Sequence, residues 1–382
     1  MGNRKGCSYT RQQSGIVGVR AMRSEAQLQE TIQRFQDCFW DRKTSRRPVV
    51  GIYSDAVFLP INFLRRPFPR TLVKPEDVTP DLTVTEYDYW FRNRDREVSC
   101  DDQIAFSAAW RGIPWLEALC GCPVRYAEAS LAPVHFVDSA EELDAVPIPG
   151  ENGWFDCLRR QTERLENQVP PDCWISPTIL RGCSDVLAAM RGLPNFMMDL
   201  HDNPGVIKKA AQRVNRLLLH ALDLHYSIVK PKLGGYGHKY GYWAPGKTQV
   251  IQEDAMGMCS PAMYRDVFME GNAEVVKHLG PYVLFHLHST GYKHYRDVLS
   301  VPNIAGLEIY MEQGGPTLLD ALPVLKETLE KSRLILHVDY CFEQLPEVLR
   351  KLPREGLFLA ISNLRIRSDA EFRDFIAAQW NS

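Results

Sequence analysis

Two histidines one residue apart, His286 and His288 in the stretch FHLHS, are the side chains here best suited to chemistry. Alternate side chains of an extended strand share a face, so both imidazoles point one way and Phe285 and Leu287 the other. Imidazole titrates near neutrality, and its unprotonated nitrogen binds metal ions, so such a pair suits proton transfer or metal ligation. A hydrogen-bonded structural pair has the same spacing. What adds weight is the neighbourhood: the same alternation puts Glu308 and Tyr310 of GLEIYM on one face, opposite Leu307 and Ile309. In LILHVDY it puts His337 and Asp339 opposite Leu336 and Val338. Burying such groups unpaired costs on the order of several kcal/mol, so they must meet one another, a metal, water or a substrate.

Further upstream, VIQEDAM offers Gln252 and Asp254 on one face and Glu253 on the other, with Asp254 the preferred contributor. The loop before it, GGYGHKYGYWAPGK, holds His238, Tyr240, Tyr242 and Trp243, a composition that suits a flexible cover with flat faces for a ligand. An Ω-loop packed on its own rings would have the same composition. Cys120 and Cys122 in LCGCP stand too far from other thiols to suggest a cluster or redox centre, and core packing is their expected role.

These residues need elements to hold them. From about residue 170 onward, apolar runs alternate with helical patterns. The strand candidates are WISPTILRG, TQVIQEDAM, YVLFHLHST, IAGLEIYM, RLILHVDY and GLFLAISN. A long helix is expected from Asn203-Pro204 through VIKKAAQRVNRLLLHALDLHYSIVK, with Asn as cap and Pro in its first turn. The segments SPAMYRDVFMEGNAEVVKHLG, KHYRDVLS, TLLDALPVLKETLEKS and FEQLPEVLRKL supply the later helices. Adding RPVVGIYSD and one ill-defined strand between Cys100 and Ala127 brings the strands to roughly eight, which favours a closed parallel barrel with its chemistry at the carboxyl ends of the strands. No GxGxxG or GxxxxGK[ST] turn follows any strand, which removes the main support for a dinucleotide or P-loop fold. Before the barrel, Leu28, Ile32, Phe35 and Phe39 recur at helical spacing behind a Ser24/Gln27 capping box. A proline-rich stretch through Pro60, Pro67, Pro69, Pro75 and Pro80 reads as a long loop over one face.

Composition narrows the partners. Lys plus Arg number 45 against 47 Asp plus Glu, a formal net charge of -2, so no basic surplus points to nucleic acid or anionic lipid. Ten scattered cysteines in 382 residues fit a reducing compartment. No stretch of about 18 apolar residues occurs, and the basic start of the chain lacks an apolar core region. A cytoplasmic protein without membrane contact is expected. Gly6 stands where a myristoylation signal starting at Met1-Gly2 would carry Ser or Thr, so a plain tail is expected there.

The runs IPWLEALCGCPVRY, ILRGCSDVLAAMRGLPNFMMDLHDNP, WAPGKTQVIQEDAMGMCSPAMYRDVFMEGN and FHLHSTG together resemble the uroporphyrinogen decarboxylase-like superfamily, over most of the chain from about residue 100. The resemblance implies a (β/α)8 TIM barrel, here with a tail and helix over residues 1–47 and the barrel over 48–382, with long loops at its mouth. It also implies one of two chemistries: decarboxylation of porphyrinogen acetates, or zinc-dependent methyl transfer between corrinoid proteins and thiols. Where the decarboxylases carry an arginine-bearing RQAGR stretch, this chain reads GIYSDAVFLPINF, with no arginine before Arg65, Arg66 and Arg70. That counts against a polycarboxylate tetrapyrrole, which needs fixed bidentate cations. Where the methyltransferases look like His-x-Cys, this chain has His286 and His288, and its last strand offers Ala360 and Ser362 instead of a cysteine.

A thiolate-rich zinc site is therefore not carried over; a site of His286, His288 and Glu308, with Asp339 as the lesser candidate for the third ligand, is the expectation. The leading reading is a methyltransferase component that demethylates a small compound and passes the methyl group to a corrinoid protein. In it His286, His288, Asp254 and Asp339 are the catalytic residues, and Tyr242, Trp243, Tyr310 and His337 contact the substrate. The alternatives are a decarboxylase or related lyase, in which Asp254 or a histidine protonates a carbanion-like intermediate, and a non-catalytic barrel that binds a corrinoid or tetrapyrrole.

Overall fold

The computed structural model describes residues 23–53, 72–78, 100–110, 112–127 and 130–380. The chain start at Met1-Gly2, Arg65, Arg66 and Arg70, and all of the proline-rich stretch except Pro75, lie outside the described residues. Pro75 opens a short 3-10 turn, Pro75–Asp77.

The strands in chain order are β1 (Val49–Tyr53), β2 (Leu72–Val73), β3 (Ala105–Ser107), β4 (Val124–Ala127), β5 (Ser130–Pro133), β6 (Cys173–Ile175), β7 (Tyr236–Gly237), β8 (Trp243–Ala244), β9 (Gln249–Gln252), β10 (Val283–His288), β11 (Gly306–Met311), β12 (Arg333–Val338) and β13 (Leu357–Ser362). Six form one parallel sheet in the order β1-β13-β12-β11-β10-β9. Parallel neighbours need a crossover, and helical segments supply it: Met269–Leu279 before β10, Tyr295–Leu299 before β11, Leu318–Lys331 before β12 and Leu345–Leu349 before β13.

Where a continuous eight-stranded ladder was expected, β3 and β6 pair in parallel as a separate two-stranded unit. Side bonds link this unit to both edges of the large sheet. Just before β3, Asp102 N–H donates to the Val50 carbonyl (2.8 Å) and the Asp101 carboxylate accepts from Ile52 N–H (2.8 Å). After β6, Gly182 N–H donates to the Gln252 carbonyl (2.5 Å). The remaining strands form a small antiparallel sheet, β2-β4-β5, and a hairpin, β7-β8.

Strand alternation divides the apolar residues into two cores. Phe285, Leu287, Leu307, Ile309, Leu334, Leu336, Leu359 and Ile361 pack with the helices. Leu284, Ile335, Phe358 and Ala360 face the other way, into a second cluster rich in aromatic rings. The first helix, Glu25–Arg34, starts on the Ser24/Gln27 capping box and runs into a π-helix, Phe35–Trp40, that packs into this inner cluster. Phe35 lies 5.3 Å edge-on from Phe358. Trp40 Nε1 donates to the Trp243 carbonyl (2.7 Å), Arg333 Nε to the Trp40 carbonyl (3.0 Å), and Gly356 N–H to the Cys38 carbonyl (2.8 Å). Arg333 opens β12 and Gly356 precedes β13, so this plug closes the amino ends of the strands, and their carboxyl ends carry the polar residues.

Other expectations shift in detail. The long helix is Pro204–Ile228, but Asn203 makes no side-chain cap. The run from Ser260 breaks at Phe268 into Pro261–Val267 and Met269–Leu279. Cys120 and Cys122 are buried in the helix-side core. Among the described residues no helix is long and apolar enough to cross a membrane.

Candidate active site

The register of the parallel ladder assembles the site. Across β9, β10 and β11, Gln252 pairs with His286 and His286 with Glu308; two residues further along, His288 pairs with Tyr310 and Tyr310 with His337. In-register parallel strands stack same-parity residues into rows, so His286, His288, Glu308, Tyr310 and His337 share the inner face. At the end of β9 the chain turns into a 3-10 segment, Asp254–Met258, which brings Asp254 over the end of β10.

Asp254 Oδ1 lies 3.7 Å from His286 Nε2 and 3.6 Å from His288 Nε2. The three residues form a group whose potential ligand atoms all fall within 4.8 Å of one another. Both imidazoles are held from behind. Glu308 accepts from His286 Nδ1, and Glu312 accepts from His288 Nδ1 (3.0 Å). A carboxylate only accepts, so each Nδ1 carries a proton, and in the neutral ring each Nε2 is left with a lone pair toward Asp254. Asp254 is fixed in turn: Gln252 Nε2 donates to its Oδ2 (2.8 Å), which leaves Oδ1 for the imidazoles.

The donor set thus differs from the expected one. Glu308 sits on the Nδ1 side of His286 and orients the ring, and Asp254 stands with the two Nε2 atoms in its place. His286 Nε2 is buried and has no hydrogen-bond partner among the described residues. Two donors each about 2.0 Å from a tetrahedral ion lie about 3.3 Å apart, so the two carboxylate–imidazole spacings of 3.6 and 3.7 Å are close to what zinc needs, and all three donors fall within 4.8 Å. Two imidazoles and one carboxylate leave a fourth position open.

Beneath the paired imidazoles, Glu308 is fully buried between two rings, with His337 Nε2 3.5 Å from its Oε1. Burial alone would raise Glu308; the facing His286 and His337 rings and the His286 hydrogen bond more than offset it and hold the carboxyl below its usual range. Burial likewise lowers His286, but the Glu308 charge and hydrogen bond, with Asp254, bring it above the usual histidine value. Each member of the pair thus favours the charged form of the other. His337 goes the opposite way: burial outweighs the attraction of Glu308 and lowers it to about 4, so it is neutral at pH 7. Tyr53 and Tyr240 pack on its ring at 4.9 and 5.3 Å, and Tyr310 at 6.1 Å. The Tyr240 hydroxyl is 3.5 Å from His286 Nδ1, and burial with the Glu308 charge keeps it a neutral phenol.

Three expected contributors lie elsewhere. Asp339 falls past the end of β12, where alternation stops, and pairs with Arg365 (3.0 Å). Tyr242 is fully buried, bonded to Thr248 (2.8 Å) and stacked on His238; Trp243 is buried in β8 against the plug. The aromatic loop is therefore inner core in place of a cover, and from it Tyr240 reaches the histidines. Glu312 was missed, although it continues the parity of Glu308 and Tyr310. A cavity of about 240 Å³ opens beside Asp254, His286, His288, Thr290 and Glu312.

Compared with solved structures, the chain is similar to a methyltransferase from Methanosarcina mazei, with a TM-score of 0.57 at 10% sequence identity, over 90% of this chain and 98% of that one. At that identity the likeness establishes a shared fold. No protein-family model matches the chain, and no curated protein matches it in sequence.

Proposed function

We propose that this chain is a methyltransferase-like enzyme on a (β/α)8 barrel of the uroporphyrinogen decarboxylase-like superfamily. It removes a methyl group from a small methylated compound and passes it to a corrinoid protein, with zinc held by Asp254, His286 and His288. One observation carries the reading: two Nε2 lone pairs and one carboxylate oxygen converge beside a cavity, each imidazole backed by its own carboxylate. The fold likeness to a methyltransferase supports the choice of chemistry. Zinc at these three residues would supply a Lewis acid for the heteroatom that carries the methyl group. The protein's own part is positional. Glu308 and Glu312 fix the tautomer and plane of each imidazole, Gln252 turns the free oxygen of Asp254 inward, and the buried rings of Tyr53 and Tyr240 keep water from the base of the site.

Elemental analysis of the purified protein tests this. The expected result is about one zinc per chain, lost in His286→Ala and in His288→Ala. Zinc retained in both variants, or absent from the wild type, overturns the metal reading. Methyl transfer that persists in both variants overturns the assignment of the site.

A further inference from the structure

Asp254 reaches the imidazoles from a turn, and a turn is a poor platform unless something holds it. The helix Cys183–Arg191 lies across this turn, and its first residues are bonded to it from both sides. Asp185 is buried, and its two oxygens accept from consecutive backbone amides, Oδ2 from Asp254 N–H (3.0 Å) and Oδ1 from Ala255 N–H (2.7 Å). In the opposite direction, the buried Glu253 carboxylate accepts from Ser184 N–H (3.3 Å), one of the unsatisfied amides at the start of that helix. Gly182 lets the two segments touch: a Cβ there would stand 2.4 Å from Glu253 Cγ and 2.9 Å from the Gln252 carbonyl. Each side chain thus caps the other segment's backbone, and Asp254 sits between the two capping residues.

We propose that Asp185 and Glu253 form a reciprocal clamp that positions Asp254, so that the affinity of the site for a divalent metal is set from the helix Cys183–Arg191, whose residues bind no metal themselves. This rests on the metal-site reading above. Asp185 and Glu253 are positioning residues. Holding the backbone of residue 254 at two successive amides fixes where its Oδ1 stands relative to both Nε2 atoms. Loss of a partner that orients a ligand weakens metal binding by roughly 10–100-fold.

The test is Asp185→Asn, which keeps the shape but replaces one of the two acceptors with an amide that cannot accept. Zinc affinity is measured by competition with a chromophoric chelator on the folded protein, and backbone hydrogen exchange on the metal-free protein. The expected result is at least tenfold weaker zinc binding, with exchange at Asp254 and Ala255 accelerated and β10 to β13 still protected. A purely structural role would lower the thermal midpoint and leave the affinity of the folded fraction unchanged, which overturns the proposal. If Asp185→Asn does not fold, Glu253→Ala removes the other arm and is expected to weaken zinc in the same direction; unchanged affinity there overturns the clamp equally. Should the wild type bind no zinc, the metal reading falls by itself, and the exchange measurement decides the clamp: protection at Asp254 and Ala255 that Asp185→Asn leaves intact overturns it.

Discussion

Glu308 shows what one side chain does here. It is the carboxylate of the site that solvent cannot reach, and it serves two rings, His286 by a hydrogen bond and His337 by proximity. Removing one member of a buried pair strands the other, at a cost of about 3–5 kcal/mol, so Glu308→Ala should lose that much in urea unfolding, and Glu308→Gln should keep more of the stability while binding zinc roughly 10–100-fold more weakly. Equal zinc affinity in wild type and Glu308→Gln, read by chelator competition, would show that the carboxylate does not orient His286. The inner-face residues His286, His288, Glu308, Tyr310 and His337 were legible in the sequence, because each lies within a strand and alternation is enforced wherever both faces are buried. Asp339 and Glu312 lie beyond strand ends, where parity is no longer enforced; one turned to Arg365 and the other to His288. Asp185 had no local signal at all, since its partners stand 69 and 70 residues away.

Among the elements, the long regular strands were the easiest to anticipate. β10, β11, β12 and β13 are six-residue apolar runs between helices, and each lies where its run lay. β3, β6, β7 and β8 have two or three residues, too few for periodicity to register, and the long strand read at WISPTILRG shrinks to β6. The amphipathic first helix was visible in its spacing, but neither its change to a π-helix nor its place under the sheet was. The extra residue in a π-turn rotates the helix face, and here Phe35, Phe39 and Trp40 all become buried. Phe39→Ala removes a fully buried ring and should destabilise the fold by about 3–5 kcal/mol. Because the plug is at the opposite end from the histidines, zinc affinity of the folded variant should stay within a few-fold of wild type, a split that thermal melts and chelator competition read separately.

At the scale of the whole molecule, imidazoles kept neutral inside contribute to the loss of stability in acid. His225, in the helix Pro204–Ile228, has its value lowered by burial alone to about 3, and His337 is lowered to about 4. Between those values and the ordinary histidine value of about 6.5, the unfolded chain binds protons that the folded one refuses, so stability falls as pH falls through that window. Each such group contributes a slope of about 1.4 kcal/mol per pH unit, and His225→Leu should flatten the acid limb by about that amount; an unchanged limb would mean that His225 is protonated in the fold. The parallel α/β class and the two-sided sheet could be read from strand count and order, whereas the split into a six-stranded ladder and a separate pair could not, since it depends on bonds from loops such as those of Asp101, Asp102 and Gly182. The pairing of β1 with β13 has a consequence for how the protein is made. A strand synthesised early finds its ladder neighbour only when the last strand has emerged from the ribosome, and the Phe35–Trp40 plug must wait with it for Phe358. Until then the nascent chain carries a greasy, unsealed edge, the kind of surface that makes slow long-range strand pairing prone to aggregation.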